Sequence, residues 1–290
     1  MNTTTKIFLI ISLTFIAVEY SHAQTIIVPD TLDGWTKTWI TNINGSQAAY
    51  NNWSEGGVNT VSGAASTIFT QMYRKDQYTF GFRTALRYGQ ARVDGDTRKS
   101  DDLLSIRLRT TYDLQKDGKI ATYGAVQFRT QFADGFEYEG GVAGGDSLIS
   151  GLFAPAYLTE GAGFEFNASS KLQVEAGLGL KQTFISNGDL SPNYGLQRGE
   201  RFRSEGGITA GISYQAPLLE NIRYSSNLDT FTSFTNPITE TDIFWANELV
   251  GKINSLISAS FQYEMRYDND FSSDVQIKQV LAAGISFNFY

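Results

Sequence analysis

The stretch "LISASFQYEMRY", Leu256 to Tyr267, alternates almost without error. Ile257, Ala259, Phe261, Tyr263, Met265 and Tyr267 share one set of positions, and Ser258, Ser260, Gln262, Glu264 and Arg266 share the other. A period of two marks an extended strand whose two faces meet different surroundings. "LLSIRLRTTYDL" (Leu103–Leu114) repeats it, with Leu104, Ile106 and Leu108 opposing Ser105, Arg107 and Arg109. "KLQVEAGLGLK" (Lys171–Lys181) does so again, with Leu172, Val174, Leu178 and Leu180 opposing Gln173, Glu175 and Lys181.

Working outward, twelve such segments cover the chain: 33–43, 58–74, 78–93, 99–115, 119–132, 152–167, 171–185, 201–216, 221–234, 241–254, 256–267 and 276–290. Beyond the leader no long segment of helical period appears, and 28 Gly with 15 Tyr and 20 Phe suit a β-rich chain with many turns. Short connections at 75–77, 116–118, 168–170, 217–220 and about 255 alternate with longer ones at 44–57, 94–98, 133–151, 186–200, 235–240 and 268–275. Tight turns on one side and long loops on the other predict an all-β fold, a closed antiparallel transmembrane β-barrel of about 12 strands. A secreted antiparallel sandwich also alternates, but it would bury its apolar faces and wet its polar ones.

The N-terminus agrees with export. Lys6 precedes the apolar run Ile7–Val18, and "SHAQ" follows with small residues at Ser21 and Ala23. The run is too short to span a bilayer as a helix, so residues 1–23 are expected to be a signal peptide and 24–290 the barrel. No later stretch approaches the length of a spanning apolar helix. Cysteine is absent and the single histidine, His22, lies in the expected leader. His-dependent triads, thiolate nucleophiles and ordinary zinc sites are thereby excluded, and neither an enzyme nor a cofactor is expected. A net charge of −7 argues against nucleic acid as a partner.

"DGDTRKSDD" places Asp94, Asp96, Asp101 and Asp102 at one expected hairpin tip, and "DNDFSSD" places Asp268, Asp270 and Asp274 at another. Neither follows the spacing of a calcium loop, so no metal site is expected. Glu160 and Glu165 are separated by an odd number of residues and fall on opposite faces.

Several strings together resemble the domain-of-unknown-function 3078 family of exported bacterial proteins: "WSEGGVN" (Trp53–Asn59), "RKSDD" (Arg98–Asp102), "RTQF" (Arg129–Phe132), "FAPAY" (Phe153–Tyr157) and a late Trp245. The resemblance implies an outer-membrane barrel and carries over no catalytic residue. The closing "SFNFY" (Ser286–Tyr290) is similar to the terminal aromatic signal of outer-membrane barrels. It is expected to meet the barrel assembly machinery, with outer-membrane lipid as the other partner and the cell outer membrane of a Gram-negative bacterium as the location.

The polar faces define the candidate site. Strands three to five are expected to turn Arg83, Arg87, Arg107, Arg109 and Arg129 inward, the seventh and eighth to add Glu175 and Glu205, and the ninth to eleventh to supply Asp229, Glu248 and Glu264 together with Arg223, Lys252 and Arg266. Twelve strands lie between the small barrels that fill with side chains and the large ones that hold a channel. The expectation is a narrow porin-like channel for small polar, anionic or zwitterionic solutes. The alternative is that these charges pair and plug the lumen, leaving a non-conducting structural or interaction barrel of a surface or assembly complex. A barrel enzyme such as a lipase is the weakest reading.

Overall fold

The computed structural model describes residues 26–48, 60–93, 95–138, 145–254, 256–270 and 272–289. The expected leader at 1–23, "WSEGGVN", Asp94 and Tyr290 lie outside the described residues. Fourteen strands are present: β1 (Gly34–Ala48), β2 (Thr60–Lys75), β3 (Tyr78–Val93), β4 (Asp96–Asp113), β5 (Ile120–Thr130), β6 (Gly135–Glu137), β7 (Ser147–Ser150), β8 (Ala156–Ser169), β9 (Leu172–Phe184), β10 (Phe202–Leu219), β11 (Ile222–Ser233), β12 (Asp242–Lys252), β13 (Ile257–Asp268) and β14 (Ser272–Asn288). Each of the twelve expected segments is a strand. β6 and β7 pair only with each other, in a small hairpin within the expected loop 133–151.

The other twelve strands form one antiparallel sheet that returns on itself. β1 pairs with β2 from Gly34–Arg74 to Ala48–Thr60. It also pairs with β14, from Ile40–Asn288 to Ile43–Ile285, and this closes the ring. Phe289 N–H donates to the Trp39 carbonyl at 3.0 Å and its ring lies 5.4 Å from that of Trp39, so the seam extends past the last strand residue. Even β5, 11 residues long, measures about 36 Å along its axis at 3.3 Å per residue.

Polarity is inverted relative to a globular core. Phe164, Leu178 and Leu281, all on the outer face, are 62%, 63% and 68% exposed, whereas the inward Asn42, Thr183 and Asn227 are at most 1% exposed. A sandwich would show the reverse, so that alternative is overturned. Left in water, each large apolar side chain would forfeit roughly 1.5–3 kcal/mol, a cost a surrounding apolar phase removes. Part of the interior is met by polar contacts instead: Ser213 Oγ donates to Asn227 Oδ1 at 2.6 Å, and Gln262 Nε2 donates to Glu248 Oε1 at 3.0 Å.

Two expected long connections are short. β3 and β4 are joined across residues 94–95, with Gly95 at φ +101°, a value that suits glycine. β13 and β14 are joined across 269–271. The acidic residues assigned to a solvated tip at 94–102 are therefore mostly on β4. A register shift opposite Gly89–Gln90 marks a bulge there. Asp101 pairs with Arg87 at 3.1 Å. The Asp102 carboxylate, 1% exposed, accepts from the backbone N–H groups of Phe132 and Ala133 and from Lys99 Nζ at 3.2 Å. Lys99 Nζ also donates to Gln131 Oε1 and the Ala133 carbonyl, both at 2.8 Å, so this pair anchors the start of the β5–β8 connection.

Leu178→Arg should cost about 2–4 kcal/mol in lipid vesicles if the outer belt lies in a bilayer, with Leu178→Phe close to neutral. Urea unfolding in vesicles measures this, and equal stability of the two variants would place the belt outside lipid. Asp102→Ala should leave buried N–H groups unmet at about 1–3 kcal/mol each. Faster protease cleavage between residues 131 and 151 is the expected readout.

A polar cavity inside the ring

Register explains which inward charges meet. On β4, Arg109 lies beside Gly81 of β3 and Ala125 of β5, and Ala125 lies beside Gly161 of β8. These short neighbours leave a path along the inner wall for a long side chain. Arg109 Nη2 lies 2.8 Å from Glu165 Oε2 on β8 and 2.6 Å from Glu175 Oε2 on β9. Glu165 and Glu175 are directly opposed in register, so one guanidinium bridges two carboxylates that would otherwise repel. Tyr123 stacks on it, with 4.4 Å from ring centre to the guanidinium carbon.

Arg107, two residues along β4, is differently placed. Its register neighbours are Arg83 on β3 and Gln127 on β5. Directly opposed like charges destabilise a sheet, and this pair has no carboxylate between its members. Arg107 is 9% exposed, and its Nε and Nη1 are buried without a hydrogen bond. On the far wall, Asp229 of β11 accepts from Asn227 Nδ2 at 2.5 Å.

Between these walls lies a cavity of about 420 Å³. Arg107, Arg129 and Asp229 line it, together with Tyr123, Phe231 and Phe244. Glycines make room for its walls: a Cβ on Gly177 would sit 2.8 Å from the Tyr123 hydroxyl, and one on Gly211 would sit 3.3 Å from Asp229 Oδ1.

The long-loop end is covered by an ordered cap. A 3-10 helix, Gly188–Tyr194, contributes Leu190 and Tyr194 to a small apolar cluster with Ala154, Ile185 and Leu196. The Tyr194 hydroxyl donates to the Ile149 carbonyl at 2.8 Å. Burial pushes that phenol above its usual pKa, so it remains a donor at neutral pH. Beneath the cap, Lys181 Nζ lies 2.6, 3.3 and 3.5 Å from Asp242, Asp268 and Asp270. Arg203 holds Asp270 at 2.5 Å and Glu205 at 3.1 Å, and donates to the Gly195 carbonyl at 2.9 Å. At the short-turn end, buried Ile26 sits against Gly81. Nearby, Arg74 pairs with Asp30 and Asp113, each at 3.1 Å.

The sequence-derived lumen residues are all among the described residues, but they do not form one wall. Arg109 and Glu175 are brought together. Arg87 goes to Asp101, Glu205 to Arg203, and Glu248 to Gln262. Glu264 faces Lys278 in register, and the Arg266 guanidinium lies 5.4 Å from the Phe244 ring centre. Arg83, Arg107, Arg129 and Arg266 are lumen arginines without an ion pair among the described residues, and the last three line the cavity. Sequence reasoning missed Lys181, Asp242, Asp268 and Asp270 as one cluster, and it missed Phe231 and Phe244. Phe231 had a signal, being a lone aromatic on an otherwise polar face, and Phe244 is the lone aromatic on the charged face of its strand.

A family model described as a protein of unknown function (DUF3078) matches residues 46–136, a segment that holds the first three of the resembling strings and excludes "FAPAY" and Trp245. No curated protein matches the chain by sequence. Among solved structures, the chain is similar to the translocator domain of the autotransporter NalP from Neisseria meningitidis, at 11% identity over 88% of each chain with a TM-score of 0.41. It is also similar to the CymD monoaromatic hydrocarbon channel, at 13% identity over 88% of each chain with a TM-score of 0.35. The KdgM porin matches at 12% identity over 87% of this chain and 99% of its own, with a TM-score of 0.34. At these identities the likeness is one of fold alone.

Proposed function

We propose that this chain is an outer-membrane β-barrel that passes small polar solutes, anionic or zwitterionic, through a narrow lumen. Residues 1–23 serve as the export leader in this reading, and 24–290 form the barrel. The observation that carries it is the inverted polarity: an exposed apolar belt outside and buried charges around a cavity inside. A ring without a free edge satisfies its backbone in a bilayer, where an open sheet would not. The unpaired arginines give that cavity a preference for a negatively charged group.

One observation favours the rival, a non-conducting structural or interaction barrel. Inside the ring Asn42, Asn227 and Gln262 are almost wholly buried, and Arg109 is tied down by its two glutamates. Charge reversal at Arg109 would strand Glu165 and Glu175, so Arg107 is the position that tests selectivity without dismantling the ion pairs.

In planar bilayers the wild type should give small, discrete conductance steps. Arg107→Glu should move its reversal potential toward cation selectivity. A silent wild type would decide for the non-conducting barrel. The seam generates a second expectation. Deleting Phe289 and Tyr290 removes the Trp39 contacts and the terminal aromatics that the assembly machinery is expected to meet. Protease-sensitive periplasmic protein should accumulate, and normal amounts of folded, heat-modifiable barrel would refute that role.

A further inference from the structure

The cavity presents opposite charges from opposite sides: Arg107 and Asp229 feel each other's charge across it, but neither closes into a direct ion pair among the described residues. Arg107 projects from β4 with two buried nitrogens unbonded, and the inward Arg129 on neighbouring β5 makes no ion pair among the described residues. Asp229 projects from β11, five strands round the ring from β4, and its one hydrogen-bond donor is the neutral Asn227 amide. Of the other carboxylates that line the cavity, Glu175 is engaged by Arg109, Asp242 and Asp268 by Lys181, and Asp102 by Lys99, while Glu160 belongs to the outward-facing set of β8. A simple anion would gain from the arginines but would face Asp229. A simple cation would meet the converse. A solute carrying both charges satisfies both walls.

The space between them is aromatic. Phe231 and Phe244 flank Asp229, and Tyr123 stands on the arginine side. Gly207 and Gly211 on β10 carry no side chain to fill this region; a Cβ on Gly207 would lie 2.8 Å from the Phe231 ring. A volume of about 420 Å³ falls in the range of small-molecule sites.

We infer that this cavity is a binding site for a small zwitterion with an apolar or aromatic body, the chemistry of an aromatic amino acid. Its carboxylate is held by Arg107 and Arg129, and its ammonium by Asp229. The inference rests on the reading of the ring interior as a solute path, and it supplies the solute class which that reading leaves open. Guanidinium–carboxylate hydrogen bonds are charge-assisted and directional, so the arginine side sets orientation. A site whose buried polar groups await partners rejects analogues that lack them.

The test uses the full protein in detergent micelles, with equilibrium dialysis of labelled L-phenylalanine. Saturable binding is expected. 3-Phenylpropionate, which lacks the ammonium, and phenethylamine, which lacks the carboxylate, should each compete at least about tenfold more weakly. Arg107→Gln and Asp229→Asn should each weaken binding by a similar factor while remaining heat-modifiable. The analogue series on the wild type decides the matter even if a variant misfolds. Absence of saturable binding overturns the site. Equal competition by 3-phenylpropionate overturns the zwitterion assignment and leaves an anion site. Binding in micelles requires no conduction, so a protein that binds yet is silent in bilayers keeps this site and discards the channel.

Discussion

Closure of the sheet between β1 and β14 is the constraint on which the rest depends. A strand edge exposes a row of unpaired N–H and C=O groups, and in an apolar phase each would cost several kcal/mol. Once the ring closes, every strand is flanked on both sides and the side chains have only two destinations. The apolar set goes outward, because the interior of a twelve-stranded ring is too narrow to hold it together with the charged set. The charged set goes inward and must then find partners. The seam is the shortest pairing in the ring, and the Trp39–Phe289 contact lengthens it on the outer face.

Placing charges inside a ring is costly unless geometry compensates. An ion pair removed from water returns its desolvation cost only when its remaining donors and acceptors are met. The solutions here are local and share a form, with one cation serving several carboxylates. Arg109 takes Glu165 and Glu175, and Lys181 takes Asp242, Asp268 and Asp270. Each cluster joins strands distant in sequence. The Lys181 cluster also lies directly under the cap that Tyr194 and Leu190 build. Pairing thus stiffens both ends of the cavity and leaves its middle open.

The strands were legible because alternation is a local property, and Ile257–Tyr267 or Leu172–Lys181 display it without reference to anything else. Direction follows from the same alternation, and Arg107 and Asp229 both line the cavity inside the ring. Partnership was not. Arg109 finds Glu165 56 residues away because Ala125 and Gly161 are small, and this depends on the register of four strands. Asp101 and Asp102 read as a solvated tip because the acidic string looks like loop, whereas the strand pairing extends past it through a bulge. Asp268 and Asp270 were misread in the same way, since a neutralising lysine on β9 leaves no trace near residue 268. Phe231 and Phe244 were lost because an aromatic on a polar face is indistinguishable, by period alone, from a slip in phase.

The contrast between Arg109 and Arg107 is the most informative feature of the interior. They are two residues apart on one strand, face the same way and are both buried, yet one is ion-paired to two carboxylates and the other makes no ion pair among the described residues. Carboxylates are not scarce in the vicinity, because Glu175 and Asp229 both flank Gly211 in register. Arg107 is instead set against Arg83, an arrangement that lowers stability. Sequences that specify one fold keep such conflicts few, and the exceptions concentrate where function requires an unsatisfied group. An arginine and an aspartate that face each other across an aromatic cavity without closing into an ion pair are the feature on which the proposed zwitterion site rests.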